Sequence, residues 1–365
     1  MSNYIKLHAN CIIVKGISRS ILCDLQRGEI FSLPDGIVEI FTKYENLSID
    51  AIFQKYDKDI HNRIQEFFDY LEMQDLAFYT STPQNFPALN IEWKHPSNIT
   101  NAILDFDEKS THDVGLFVDK LTEWGCKGIE VRCFHSINEE RLYEILSYFK
   151  KTRIRDVKVF FAYNPDVYNW NFEKIFVSNQ RTSSLFIHSA PKDEQLYKSE
   201  YFADVGVYLI SNQIHSESHC GAINTGFFAV NVNTFTEAQV YNTCLNRKIS
   251  VDKNGQIKNC PSMKNSYGHV ETTDLDEVIR SSIFKEVWNI KKDDIKKCKT
   301  CEFRYICTDC RAYLENPDDI YSAPLKCGYD PITGEWEEWS QNPLKKQAIQ
   351  HYKLNTIITE SELKS

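Results

Sequence analysis

The stretch Cys298-Lys-Thr-Cys301-Glu-Phe-Arg-Tyr-Ile-Cys307-Thr-Asp-Cys310, with Cys327 after it, limits what this chain can become more than any other. A two-residue gap between cysteines forms a turn that points both sulfurs the same way, toward one metal. Upstream, Cys244 and Cys260 flank Asp252-Lys-Asn-Gly255, a turn signal between the strand-like runs Lys248-Ile-Ser-Val251 and Gln256-Ile-Lys258. Seven of the twelve cysteines therefore fall within residues 244–327, a density that core packing does not explain. The pattern predicts one or two metal centres.

A chain of 365 residues has room for two or three domains and a well-buried core. Its formal charge of −9 argues against non-specific nucleic-acid binding, which needs a basic surface. No apolar run reaches membrane-spanning length; Val205-Gly-Val-Tyr-Leu-Ile210 is only strand-sized. Met1-Ser-Asn-Tyr-Ile-Lys6 lacks a signal-peptide core, so a cytoplasmic protein with no membrane partner is expected. Thiols stay reduced there, and the cysteines read as ligands or buried thiols rather than disulfides.

Residues 1–81 read as strands followed by three helices. Cys11-Ile-Ile-Val14, Ser20-Ile-Leu-Cys23 and Ile30-Phe-Ser-Leu33 are strand-like, and Gln26-Arg-Gly28 supplies a turn. Asp35 is the expected cap of the first helix, Ser48 opens a second, and Ile64, Phe67, Phe68 and Leu71 form the apolar stripe of a third. Cys11 and Cys23 look like small buried hydrophobes. The order is winged-helix-like. On Cys23-Asp-Leu-Gln-Arg-Gly28 and Phe31-Ser-Leu-Pro34 it resembles the peptide-recognition element of ribosomal-peptide modification systems. That resemblance implies a leader peptide added as a strand at an exposed sheet edge, here Glu29, Ile30, Phe31 and Ser32. Residues 82–97, with three prolines, read as a linker.

From residue 98 to 235 strand and helix alternate, which demands a parallel sheet: an α/β layer or a partial (β/α) barrel. The cysteines downstream, Cys244-x10-Gly255-x4-Cys260 and Cys298-x2-Cys301-x5-Cys307 with Cys310 and Cys327, resemble the SPASM extension of radical S-adenosylmethionine peptide-modifying enzymes. The resemblance implies a SPASM domain over 236–343, a charged tail over 344–365, and two [4Fe–4S] clusters. It assigns Cys298, Cys301, Cys307 and Cys327 to one cluster, and Cys244, Cys260 and Cys310 to the other, whose fourth ligand the shared motif does not supply; Cys220, followed by Gly221, is the candidate, with His215 and His219 as alternatives. One gap departs from the family: Cys307-Thr-Asp-Cys310 has two residues between cysteines where three are usual.

A larger departure concerns chemistry. Residues 105–112, after the first strand of the alternating region, hold no Cys-x3-Cys-x2-Cys motif, and a methionine-binding Gly-Gly-Glu stretch is replaced by Arg132-Cys-Phe-His-Ser136. S-adenosylmethionine cleavage is therefore not expected. Thr243-Cys-Leu-Asn-Arg-Lys248, Lys258-Asn-Cys-Pro-Ser-Met263 and Cys301-Glu-Phe-Arg-Tyr-Ile-Cys-Thr-Asp-Cys-Arg311 resemble the SPASM-domain peptide maturases of grasp-with-spasm operons. This implies a ribosomal-peptide (RiPP) maturation protein that binds a precursor leader and acts with an ATP-grasp peptide ligase, which cross-links the core peptide. The alternatives are a redox or peptide-modifying enzyme using the clusters, or a zinc-binding scaffold, since four thiolates at this spacing suit zinc. Asp105/Asp107 and Asp293/Asp294 read as solvated charges or caps. Asp309, between two cysteines, is placed to order its loop.

Overall fold

The computed structural model describes residues 3–200, 202 and 205–362. The first two residues of the 1–81 segment, residues 201, 203 and 204, and the last three of the 344–365 tail lie outside the described residues. The chain is mixed α/β around a large central sheet.

The N-terminal part begins with β1 (Tyr4–Leu7), β2 (Cys11–Lys15), β3 (Ser20–Asp24) and β4 (Glu29–Leu33). Helices α1 (Asp35–Lys43), α2 (Ile49–Phe53) and α3 (His61–Met73) follow, and β5 (Ala77–Thr80) returns antiparallel to β1. Strands β2, β3 and β4 form a separate antiparallel sheet, with Cys23 opposite Ile30 and Ile21 opposite Ser32. The α3 stripe is buried as its spacing predicts: Ile64, Phe68 and Leu71 lie in one core with Ile37, Ile40 and Phe41 of α1. The expected caps divide. The Ser48 hydroxyl accepts the amide of Ala51, whereas Pro34 occupies the cap of α1 and Asp35 is its first helical residue. Proline's fixed φ readily holds the extended cap position, leaving Asp35 to favour the positive end of the helix dipole.

The central sheet contains β6 (Asn101–Phe106), β7 (Gly128–Ser136), β8 (Asp156–Ala162) and β9 (Thr182–His188), with α4 (Val114–Glu123), α5 (Glu139–Ser147) and α6 (Phe172–Ser178) as crossovers. Each helix start is held by a side chain: Asp113 accepts from Gly115 and Leu116, Asn138 from Arg141, and Asn171 from Lys174. The strands β6 to β9 are parallel neighbours in sequence order, so this stretch is singly wound. Beyond β9 the pattern breaks. β10 (Glu194–Lys198) lies at the edge, antiparallel to β11 (Gly206–Leu209), which slots in parallel beside β9. The strand β10 is absent from the sequence expectation because Glu-Gln-Leu-Tyr-Lys is mostly polar, as an edge strand can be.

After α7 (Val232–Ala238) comes the hairpin of β12 (Lys248–Val251) and β13 (Ile257–Lys258). Strand β12 pairs parallel with β6, from Lys248 opposite Asn101 to Val251 opposite Leu104. The first part of the cysteine-rich segment is thus a continuation of the central sheet. Short helices α8 (Leu275–Arg280) and α9 (Ser282–Lys285), the two-residue strands β14 (Tyr329–Asp330) and β15 (Glu335–Trp336), and helices α10 (Lys346–His351) and α11 (Asn355–Glu362) complete the chain. Among the described residues, no helix is long and apolar enough to cross a membrane.

Candidate metal centre

The eight cysteines singled out as ligands fall into two neighbourhoods. Cys220, Cys244, Cys260 and Cys310 all line one cavity of about 400 Å³. Cys220 is exposed at its rim; Cys260 and Cys310 are buried. Several local devices hold them. Gly221 has φ +87, and a Cβ there would sit 3.0 Å from the Cys310 sulfur, so only glycine lets the backbone after Cys220 approach this closely. Asn242 Oδ1 accepts the amides of Cys244 (3.0 Å) and Leu245 (2.8 Å), which shapes the turn that carries the Cys244 thiol. The four sulfurs feel one another. Burial and then the nearby Cys220 push the Cys260 thiol up to about 12, and burial and then Cys244 push Cys310 up to about 11. His219 also lines the cavity, while His215 stands outside its wall, 6.2 Å from the His219 ring.

Cys298, Cys301, Cys307 and Cys327 make the second neighbourhood. A short turn over Cys298–Thr300 lets the Cys301 amide donate to the Cys298 carbonyl at 2.9 Å. Burial raises the Cys307 thiol to about 12, with Cys327 and Cys298 adding to the rise and Lys292 opposing it. Cys298 is raised chiefly by burial, with Cys327 among the contributors; Cys301 likewise, with Cys307 and Cys298 contributing. The chain following Cys220 meets this group, since Ile223 bridges Cys327 in parallel. The remaining four cysteines, Cys11, Cys23, Cys126 and Cys133, are buried, with thiols pushed up to about 12 mainly by desolvation. They are core residues.

Among the described residues, no group of three or more His, Cys, Asp or Glu side chains is drawn together as the ligands of one metal ion are. The first group instead walls a cavity, which suits a polynuclear body with its own volume better than a single ion with sulfurs about 2.3 Å away. The donor set, four cysteines in each neighbourhood, fits [4Fe–4S] ligation.

Charged groups around the sulfurs were invisible in the sequence. Lys292 is 4% exposed, and its ammonium points at Cys307 Sγ (3.7 Å) and Cys298 Sγ (4.0 Å) while pairing with Asp309 Oδ1 at 3.3 Å. Arg311 also holds Asp309 Oδ1, at 2.7 Å, and Asn242 Nδ2 donates to Asp309 Oδ2 at 2.6 Å. Asp309 therefore orders its loop, as its position predicts. In the first group Lys248 Nζ lies 3.5 Å from Cys244 Sγ. Lys326 donates to the carbonyls of Ser218 and Cys220, and burial pulls its ammonium down to about 8 despite Cys310 and Cys220 nearby. Lys291-Lys-Asp-Asp294 reads as a solvated charge run, so no sequence signal marked Lys292.

Asp105 corrects another expectation. It is 1% exposed, not a solvated loop charge, and Arg132 grips it through Nε–Oδ1 (2.7 Å) and a second nitrogen to Oδ2 (2.8 Å). Burial pushes its carboxyl up to about 6 against the pull of Arg132. Asp293 accepts from Arg304 and Tyr305, and Asp294 caps a short turn. At the other end of the chain, Glu29, Ile30, Phe31 and Ser32 lie on β4, an edge strand that among the described residues pairs only with β3. Glu29, Ile30 and Ser32 are exposed; Phe31 packs toward the helices.

The chain is thus mixed α/β, with four cysteines lining a cavity beside Ile103, Glu130 and Lys248 of the central sheet and four more in a second neighbourhood. No family model matches it, and no curated protein does. Among solved structures it is similar to Streptococcus suis SuiB bound to S-adenosylmethionine (TM-score 0.37, 11% identity, covering 88% of this chain and 98% of that one). It is also similar to SuiB bound to its precursor peptide SuiA (TM-score 0.33, 9% identity, covering 84% of this chain and 96% of that one).

Proposed function

We propose that this chain is a cytoplasmic maturation protein for a ribosomally made peptide. Its SPASM-like segment would hold two [4Fe–4S] clusters, and its winged-helix-like start would bind the leader of the precursor. The observation that carries the reading is the partition of the cysteines: Cys220, Cys244, Cys260 and Cys310 around one cavity, and Cys298, Cys301, Cys307 and Cys327 in a second neighbourhood. The sequence resemblance supports the same grouping of all but Cys220, which it leaves open. Such clusters supply one-electron transfer or act as inorganic cross-links. The protein's own part is to bury the sulfurs, surround them with cations and keep one side, at Cys220, open. The exposed edge of β4 supports the leader site, because the outer edge of a sheet offers backbone donors and acceptors to an extended peptide. The proposed partner is an ATP-grasp ligase. No S-adenosylmethionine cleavage is included, on the ground that residues 105–112 hold no cysteine.

The test is chemical analysis of anaerobically purified protein, followed by peptide and ligase assays. About eight irons and eight sulfides per chain are expected for two cubanes, with the precursor leader binding and the ligase cross-linking faster when the protein is added. Zinc without sulfide would replace the cluster reading with the scaffold one. A change in precursor mass produced by this protein and a reductant alone would make it a peptide-modifying enzyme instead.

A further inference from the structure

The two sulfur groups each meet a lysine ammonium, and the surroundings of those ammonium groups differ. Lys292 reaches two sulfurs of the second group, Cys307 and Cys298, and is buried at 4% exposure. Its counter-ion Asp309 is shared with Arg311, whose side chain is fully buried. Two cations and one anion thus form one buried cluster of net positive charge, with Lys292 facing the second group's sulfurs while Asp309 and Arg311 also line the first group's cavity. Lys248 reaches one sulfur of the first group, Cys244 at 3.5 Å. Glu130, on the same cavity wall, is the carboxylate that acts on it.

A bland reading makes Lys292, Asp309 and Arg311 a structural ion cluster. Buried ion clusters, however, stabilise little relative to apolar packing, because desolvation offsets the attraction. This one also aims its free donor capacity at sulfur. A cubane held by four thiolates is anionic, and it gains one more negative charge on reduction. An ammonium hydrogen-bonded to ligand sulfur stabilises that reduced form, and does so strongly where the dielectric is low. Net charge and hydrogen bonds to sulfur are among the determinants of cluster potential.

Resting on the cluster reading above, we infer that Lys292 and Asp309 form a potential-setting pair for the centre at Cys298, Cys301, Cys307 and Cys327. Lys292 raises its reduction potential and Asp309 trims that rise, while Lys248 does the corresponding work at the other centre. In the reduction concerned one electron enters the cluster from an external reductant, no bond forms or breaks, and Lys292 keeps its proton. Asp309 has a second reach. It lines the first group's cavity itself, and through Asn242, which accepts the Cys244 amide, it is also two hydrogen bonds from that group's backbone. A change at Asp309 therefore moves both centres, whereas a change at Lys292 is felt mainly at one.

The experiment is an anaerobic redox titration of the full-length, cluster-loaded protein with dithionite, followed by electron paramagnetic resonance. Iron and sulfide are measured first, so that a protein without sulfide ends the cluster reading and not merely this inference. Lys292→Met is expected to shift one of two midpoints to more negative potential, with Lys292→Arg near the wild type. Asp309→Asn is expected to shift that midpoint, and to a smaller extent the other, to more positive potential, and Lys248→Met to move the other midpoint negative. A purely structural role gives no such opposed signs. Full iron and sulfide with unmoved midpoints would overturn the inference. Should the variants fail to fold, wild-type protein labelled with 15N at lysine Nζ decides: hyperfine coupling from lysine nitrogen to the reduced clusters is expected, and its absence from both overturns the pair's role.

Discussion

Gly221 shows how much of the site depends on one backbone position. Its φ of +87 is in the region where a side chain is strained, and the Cys310 sulfur fills the space a Cβ would need. Gly221→Ala is expected to cost about 1–2 kcal/mol in backbone strain alone and to displace Cys310, lowering both the melting temperature and the sulfide retained per chain. Gly36→Ala is the control, since nothing lies within 4 Å of a Cβ there and its helical position gains from alanine. Glu237 gives a pH-dependent test away from the sulfurs. Burial pushes its carboxyl up to about 7, although Asn246 donates to it at 2.7 Å and Arg247 lies near. Because the folded value lies above the unfolded one, the folded chain binds more protons between them, and this contribution to stability is lost as pH rises toward and through 7. Glu237→Gln should match the wild type in urea unfolding near pH 4.5 and exceed it progressively up to pH 8; equal stabilities at both ends would remove the buried-acid account. At this scale the cysteines were legible and the cations were not. Paired spacing marks the cysteines as a group apart from core residues, whereas Lys248, Lys292 and Arg132 differ from surface residues only in their three-dimensional surroundings.

Elements with strong periodicity were legible: α3 from its apolar stripe, and the alternation of strand and helix from β6 through β8. What the periodicity could not show was partnership. The β2–β3 turn docks on the loop that carries Cys301, through Ile17 N to the Thr300 carbonyl (2.8 Å) and Arg304 to the Lys15 carbonyl (2.7 Å). Arg19 pairs there with Glu302, a fully buried carboxylate that also accepts from Tyr329 at 2.5 Å. Arg19→Ala leaves that carboxylate with the tyrosine alone. The expected loss is about 1–3 kcal/mol, below the cost of breaking a fully buried pair because Arg19 is 40% exposed. Adding Glu302→Gln should recover part of it, since the uncompensated charge goes too. Urea unfolding of the single and double variants checks this, and additive losses would show that Arg19 acts only through packing on the Phe303 and Tyr329 rings.

At the scale of the whole molecule, the sequence suggested modules joined by a linker, and the core arrangement gives a different mechanical picture. One face of the β2–β3–β4 sheet packs on its helices, but Val14, Ile21, Cys23 and Leu25 enter a second core with Ile306, Phe303, Tyr329 and Cys307 itself. The same core takes in Leu89 from the proline-containing connection. Buried apolar surface shared in this way cannot be divided without exposing both halves to water. Deleting residues 1–81 should therefore do more than remove the proposed leader-binding edge. It strips the cover from Ile306 and Cys307 while leaving the cavity of Cys220, Cys244, Cys260 and Cys310 mostly walled by its own segments. The expected product is a poorly soluble chain that retains about half its sulfide, with the survivor at the first group, measured by sulfide analysis and by the rate at which the visible absorption bleaches in air. Full retention of sulfide and wild-type bleaching would mean the N-terminal part is an independent module, and that peptide binding there reaches the sulfur centres only through the tether.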